Sequence, residues 1–125
     1  MRHKLAGRRL GRTSGARLAL RRNLVRQLIT HDRIRTTKAK AAAIRGEAEK
    51  IITIARNSAN SSDTGKVAAR RKVVARLGDN KILKRLFDEV APRFANRNGG
   101  YTRMIRTGPR LGDAAEMVIL ELVEE

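Results

Sequence analysis

"AEMVILELV", residues 115–123, decides the fold. Val118, Leu120 and Leu122 alternate onto one side of an extended chain, while Met117, Ile119 and Val123 share the other with Glu121. A strand that is apolar on both sides belongs in the middle of a sheet or beneath a partner. Just upstream, "GGYTRMIRTG" (99–108) has the same β-rich character, and the turn-forming "GPRLGD" (108–113) joins the two.

Before residue 99 the period is mostly helical. Thr13 or Ser14 is a fitting N-cap for a helix running to about Thr30, with Leu18, Leu24, Val25, Leu28 and Ile29 as its apolar side. "RIRTT" (33–37) follows as a short strand. A second helix, about 38–56, carries the most regular helical stripe of the chain: Ala41, Ile44, Ala48, Ile51, Ile52 and Ala55. The polar run "NSANSSDTG" (57–65) is a loop, and Asp63 or Thr64 caps a third helix, about 65–77, with Val67, Val74 and Leu77 inward. Gly78 stops that helix, and Asp79 starts a fourth, about 80–91, which Pro92 closes. The order α-β-α-α-α-β-β defines an α/β (α+β) fold in two layers, with helices packed on a small mixed sheet. A basic extension, residues 1–13, precedes a single domain, residues 14–125.

Charge supplies the functional clue. In 125 residues, 29 Lys and Arg oppose 12 Asp and Glu, a net charge of +17. Self-repulsion of that size calls for a polyanionic partner. Arginine outnumbers lysine 21 to 8, and guanidinium groups bind phosphate through two parallel hydrogen bonds. The charge is also uneven: residues 1–56 hold 16 cations and 3 acids, and the first acid is Asp32. Residues 1–13 contain too few apolar side chains for a helical stripe and read as an arm, with Gly7 and Gly11 allowing close backbone approach to phosphates.

Other chemistries lack an address. There is no cysteine, so disulfides and thiolate sites are excluded. His3 and His31 are the only histidines, and no metal spacing, P-loop or dinucleotide fingerprint occurs. No cofactor and no small-molecule substrate are expected. No apolar run approaches the roughly 18 residues of a membrane span, and no membrane contact is expected. Phe87, Phe94 and Tyr101 are the only aromatics, too few for a single-strand stacking platform. Recognition then runs through phosphates, riboses and the shape of folded RNA, with a strong salt dependence. An architectural DNA-binding protein is the alternative reading of the composition.

Three blocks now carry a resemblance. "MRHKLAGRRLGR", "LITHDRIRTTKAKA" and "PRFANRNGGYTRMIRTGPRLGDAAEMVILELVE" occur in this order and closely resemble the bacterial large-subunit ribosomal protein seventeen family. With the intervening helices they span nearly the whole chain. The resemblance implies a non-enzymatic structural component of the cytoplasmic ribosome with a compact α/β body. Its partners would be large-subunit ribosomal RNA, entered by the N-terminal arm, and neighbouring large-subunit proteins. Matching positions place Arg2, His3, Lys4, Gly7, Arg8 and Arg12 in the arm motif. Thr36, Thr37, Lys40 and Ala41 fall in the strand-to-helix block, and Gly99, Gly100, Tyr101, Thr102 and Arg103 in the loop block. The glycine-containing "RTSGA" (12–16) and the length of the 57–65 loop depart from the family pattern. Combined with the charge reading, the expected RNA-binding set is Arg2, His3, Lys4, Arg8, Arg9, Arg12, Arg22, Arg26, Lys38, Lys40, Arg97, Tyr101 and Arg103.

Overall fold

A computed structural model describes residues 8–123. Helix α1 spans Ser14–His31, and the Thr13 hydroxyl accepts from the Ala16 N–H as its N-cap. Asp32 ends it in the left-handed conformation, φ 66°, which lets the chain reverse into strand β1, Arg33–Thr37. Thr37 closes β1 and caps α2, Lys38–Ser58, accepting from the Lys40 N–H. The six stripe residues expected on α2 are all buried.

Helix α3, Asp63–Leu77, starts two residues earlier than expected because Ser62 is the cap, accepting from the Gly65 N–H. Asp63 thus sits in the first turn, where a carboxylate favours the positive end of the helix dipole. Its buried line is Ala69, Val73 and Leu77 rather than Val67, Val74 and Leu77, and Val67 is exposed. The i, i+4, i+8 line beginning at a small alanine turns toward α2, and Val67 falls off its axis. Gly78, φ 69°, terminates α3 as expected.

The last helix occupies residues 83–93, with a π-helical turn, Leu86–Val90, between α-helical turns Leu83–Arg85 and Ala91–Arg93. Pro92 lies inside it instead of ending it. Proline has no N–H and crowds the carbonyl four residues back. The preceding turn is widened, with the Ala91 N–H reaching the Leu86 carbonyl five residues away, and Pro92 then enters the first turn of a fresh α-helical segment.

Strands β2, Thr102–Pro109, and β3, Glu116–Leu122, form a hairpin, and the sheet order is β1-β3-β2. The doubly apolar strand takes the centre. Both pairings are antiparallel, so the sheet is not the mixed one expected. β1 and β2 do run the same way, but β3 lies between them and they share no hydrogen bonds. An extra residue at Thr107 shifts the register between Arg106 and Gly108. Val118, Leu120 and Leu122 pack on the helices together with Ile44, Ile51, Ile52, Leu28, Leu86 and Phe94, giving the two layers their common core.

Candidate nucleic-acid interface

The basic start of the chain forms a limb. No residue between 8 and 24 is buried, and the core takes hold of α1 at Val25, Leu28 and Ile29, with Leu24 packed against it. Leu18, expected on the apolar side, is exposed for this reason. Leu10 and Gly11, φ 56° and 63°, form a tight turn closed by the Arg12 N–H on the Arg9 carbonyl at 3.2 Å. The Arg12 guanidinium folds back onto the Leu10 carbonyl at 2.7 Å. Arg8 and Arg9 are exposed. With no acid before Asp32, none of Arg8, Arg9, Arg12, Arg17 and Arg21 forms an ion pair among the described residues. Arg2, His3 and Lys4 lie outside the described residues.

Arg22 and Arg26 are placed differently. Arg22 donates to the Ala75 carbonyl at 3.2 Å and Arg26 to the Leu77 carbonyl at 3.0 Å. These are end carbonyls of α3, which lack helical partners and carry the negative end of its dipole. The two arginines therefore fasten α1 to α3. Glycine at 78 suits both its left-handed φ and this contact, since a Cβ there would lie 3.2 Å from an Arg22 nitrogen.

The loop after the last helix is held from α2. Arg45, Glu49, Thr53 and Arg56 form one column along that helix, beside its apolar stripe. Arg56 donates to the Phe94 carbonyl at 3.0 Å and to the Asn98 side-chain oxygen at 2.7 Å. Arg45 and Glu49 grip Thr102, the guanidinium donating to its hydroxyl and carbonyl, the carboxylate accepting from its N–H and hydroxyl. Arg97 donates to the Gly99 and Gly100 carbonyls, at 3.2 and 3.1 Å, and so shapes the glycine turn. Tyr101 is buried, its ring centroid 5.0 Å from that of Phe94 and its hydroxyl bonded to Thr53 at 3.1 Å. Its ring belongs to the core.

Of the remaining expected residues, Lys38 pairs with Glu116 at 3.8 Å, and Lys40 is half-buried with no acidic partner among the described residues. Arg103 is exposed and pairs with Glu121, Nε to Oε1 at 2.8 Å. Arg106 points from the opposite side of β2, as strand parity requires, toward Glu116. Sequence reading missed the column on α2, although a polar line running beside an apolar stripe was there to be seen. It also missed the bracket at Asp32, which accepts from Arg85 at 2.7 Å and from Arg93 at 3.3 Å. Partial burial pushes the Asp32 carboxyl up, but hydrogen bonds and charge from Arg93 and Arg85 outweigh it and leave the group below its ordinary range. Among the described residues, no three histidine or acidic side chains are grouped to hold a metal ion.

A small α+β body preceded by an acid-free, arginine-rich segment defines the class: a strongly basic α+β protein whose cations outnumber its acids 29 to 12. The model of the family described as ribosomal protein L17 matches residues 20–123, and the chain belongs to that family. Relatives named large ribosomal subunit protein bL17 are similar along most or all of their length. The one from Trichlorobacter lovleyi is 47% identical over all 125 residues, which cover 95% of it. That from Geobacter sulfurreducens is 46% identical over the whole chain, which covers 67% of it. The Clostridium perfringens protein is 48% identical over 116 residues, 93% of this chain and 96% of the relative.

Proposed function

We propose that this chain is a non-enzymatic structural constituent of the large ribosomal subunit that binds and stabilises folded large-subunit ribosomal RNA, with neighbouring ribosomal proteins around it in the cytoplasm. The observation that carries this reading is the limb of residues 8–21, none of them buried and without one carboxylate to answer its guanidinium groups. In a body whose carboxylates are largely spent on ion pairs and backbone contacts, those cations await an external anion. Family membership and the names of the relatives supply which polyanion.

Mode follows from the aromatics. Phe94 and Tyr101 are buried, and Phe87 lies beneath Arg70, whose guanidinium is 4.7 Å from the ring centroid. No ring is left to stack on splayed bases, so contact runs through phosphate, ribose and helix shape. Arg8, Arg9 and Arg12, with Arg2, His3 and Lys4 before them, neutralise phosphates where RNA helices crowd. Lys38, Lys40, Arg97 and Arg103 add contacts from the body, while Tyr101, Arg22 and Arg26 hold the elements that present them. The protein needs no cofactor, small-molecule substrate or membrane for this work.

Two measurements test the reading. The chain should remain with large subunits through a high-salt wash in sedimentation, because many phosphate contacts dissociate together. In filter binding at matched salt, folded large-subunit RNA should be held more tightly than duplex DNA. A preference for the duplex would instead make this an architectural DNA-binding protein.

A further inference from the structure

Strand register places three arginines on the side of the sheet that faces away from the helices. Cross-strand partners share a side. Arg33 and Arg103 both lie opposite Glu121, Arg35 lies opposite Ile119, and Ile105 lies opposite Ile119 from the other edge. The helix-facing side holds Ile34 and Thr36, Leu120 and Val118, Met104 and Thr102 in the same way. Arg33, Arg35, Arg103 and Ile105 are exposed.

We propose that this outer side of the sheet is a second binding surface for the ribosomal RNA backbone, with Arg33, Arg35 and Arg103 as phosphate ligands and Ile105 and Ile119 against ribose. The proposal rests on the RNA-binding reading above and extends it to a face separate from the limb. Arg33 and Arg35 are two residues apart on one edge, about 6.6 Å, and the opposite edge strand is about 10 Å across. The arginines therefore border a narrow strip, aliphatic at Ile119 and Ile105 and closed at one end by Glu121, a shape suited to a sugar–phosphate chain lying along it.

Glu121 positions the third cation. Arg103 offers it the edge formed by Nε and one terminal nitrogen, both bonding Oε1. The other edge of the planar group remains free for a phosphate. Arg33 and Arg35 have no carboxylate partner among the described residues. A polyanion fits this face better than a neutral protein surface, because three arginines stand on it against the single carboxylate of Glu121.

The test compares full-length wild type with Arg33→Gln/Arg35→Gln in filter binding to folded large-subunit RNA over a salt series. Arg71→Gln/Lys72→Gln, on the exposed side of α3, is the control for equal loss of charge. Losing two phosphate contacts should make the slope of log affinity against log salt shallower by about 1.4–1.8. The α3 control should change it by less than half as much. Equal effects of the two double variants would overturn the proposal. Circular dichroism checks the fold, and Arg35→Gln alone keeps the comparison open if the double variant unfolds. A photo-crosslinker at position 35 in assembled subunits should join RNA, and a protein adduct in its place would also overturn the proposal. Failure of the wild type itself to bind RNA would refute the broader reading, whereas wild-type binding with an inert sheet face would refute only this extension.

Discussion

Arg56 looks in the sequence like one more member of a cationic surplus, yet its guanidinium lies among the Phe94 and Ala95 carbonyls and the Asn57 and Asn98 side chains. Hydrogen bonds from a charged donor contribute about 1.5–3 kcal/mol. Arg56→Ala should therefore lower the unfolding free energy by about 2 kcal/mol in urea denaturation, with RNA binding weakened mainly through the loop. Tyr101 makes the complementary case. Tyr101→Phe removes only the bond to Thr53, so about 1 kcal/mol of stability should go while RNA affinity stays the same. A large loss of affinity with stability intact would mean that the tyrosine touches RNA directly. The identity of basic residues was legible in the sequence, but their assignment was not. Arg22, Arg26 and Arg56 differ from Arg8 and Arg9 only in whether a helix end or loop carbonyl lies within reach. That depends on contacts 38–53 residues away in the chain.

Elements were easier to read than their ends or their neighbours. The α2 stripe and the two-sided β3 pattern each repeat over several residues, and both appear where the periodicity puts them. The π-helical turn before Pro92 was hidden, because widening a turn satisfies the proline without altering the apolar pattern. Antiparallel pairing of β1 was hidden too, since five alternating residues do not encode which way a partner 80 residues on will run. The junction of α1 and β1 carries a pH prediction. Asp32 titrates below its ordinary range when folded, so the unfolded chain binds the proton more readily. Its contribution is complete above the ordinary carboxylate pKa of 3.8 and is lost as pH falls through the lower folded value. Urea midpoints measured from pH 6 down to pH 2 should fall less steeply for Asp32→Asn than for wild type. Asparagine also tolerates the left-handed backbone at this position, so the comparison isolates the charge. Parallel curves for the two proteins would show that the Arg85–Asp32–Arg93 bracket contributes nothing.

At the scale of the molecule, net charge was legible from composition alone, and so was its concentration in the first half. Composition could not show that the core grips α1 only from Leu24 onward, leaving the first turns of the helix as a basic stem. The unburied, acid-free segment ahead of that grip is where the proposed binding concentrates, with the body adding fewer contacts. On the proposed reading, uncompensated guanidinium on the limb offsets phosphate repulsion, and the body fixes where the limb enters. The direct test is a salt titration of binding to folded large-subunit RNA, with and without residues 1–13, which hold Arg2, Lys4, Arg8, Arg9 and Arg12. The shortened chain should keep its circular dichroism spectrum, bind more weakly, and show a slope shallower by about 3.5–4.5 if all five cations meet phosphates. An unchanged slope and affinity, or collapse of the body on removal of the arm, would contradict the account.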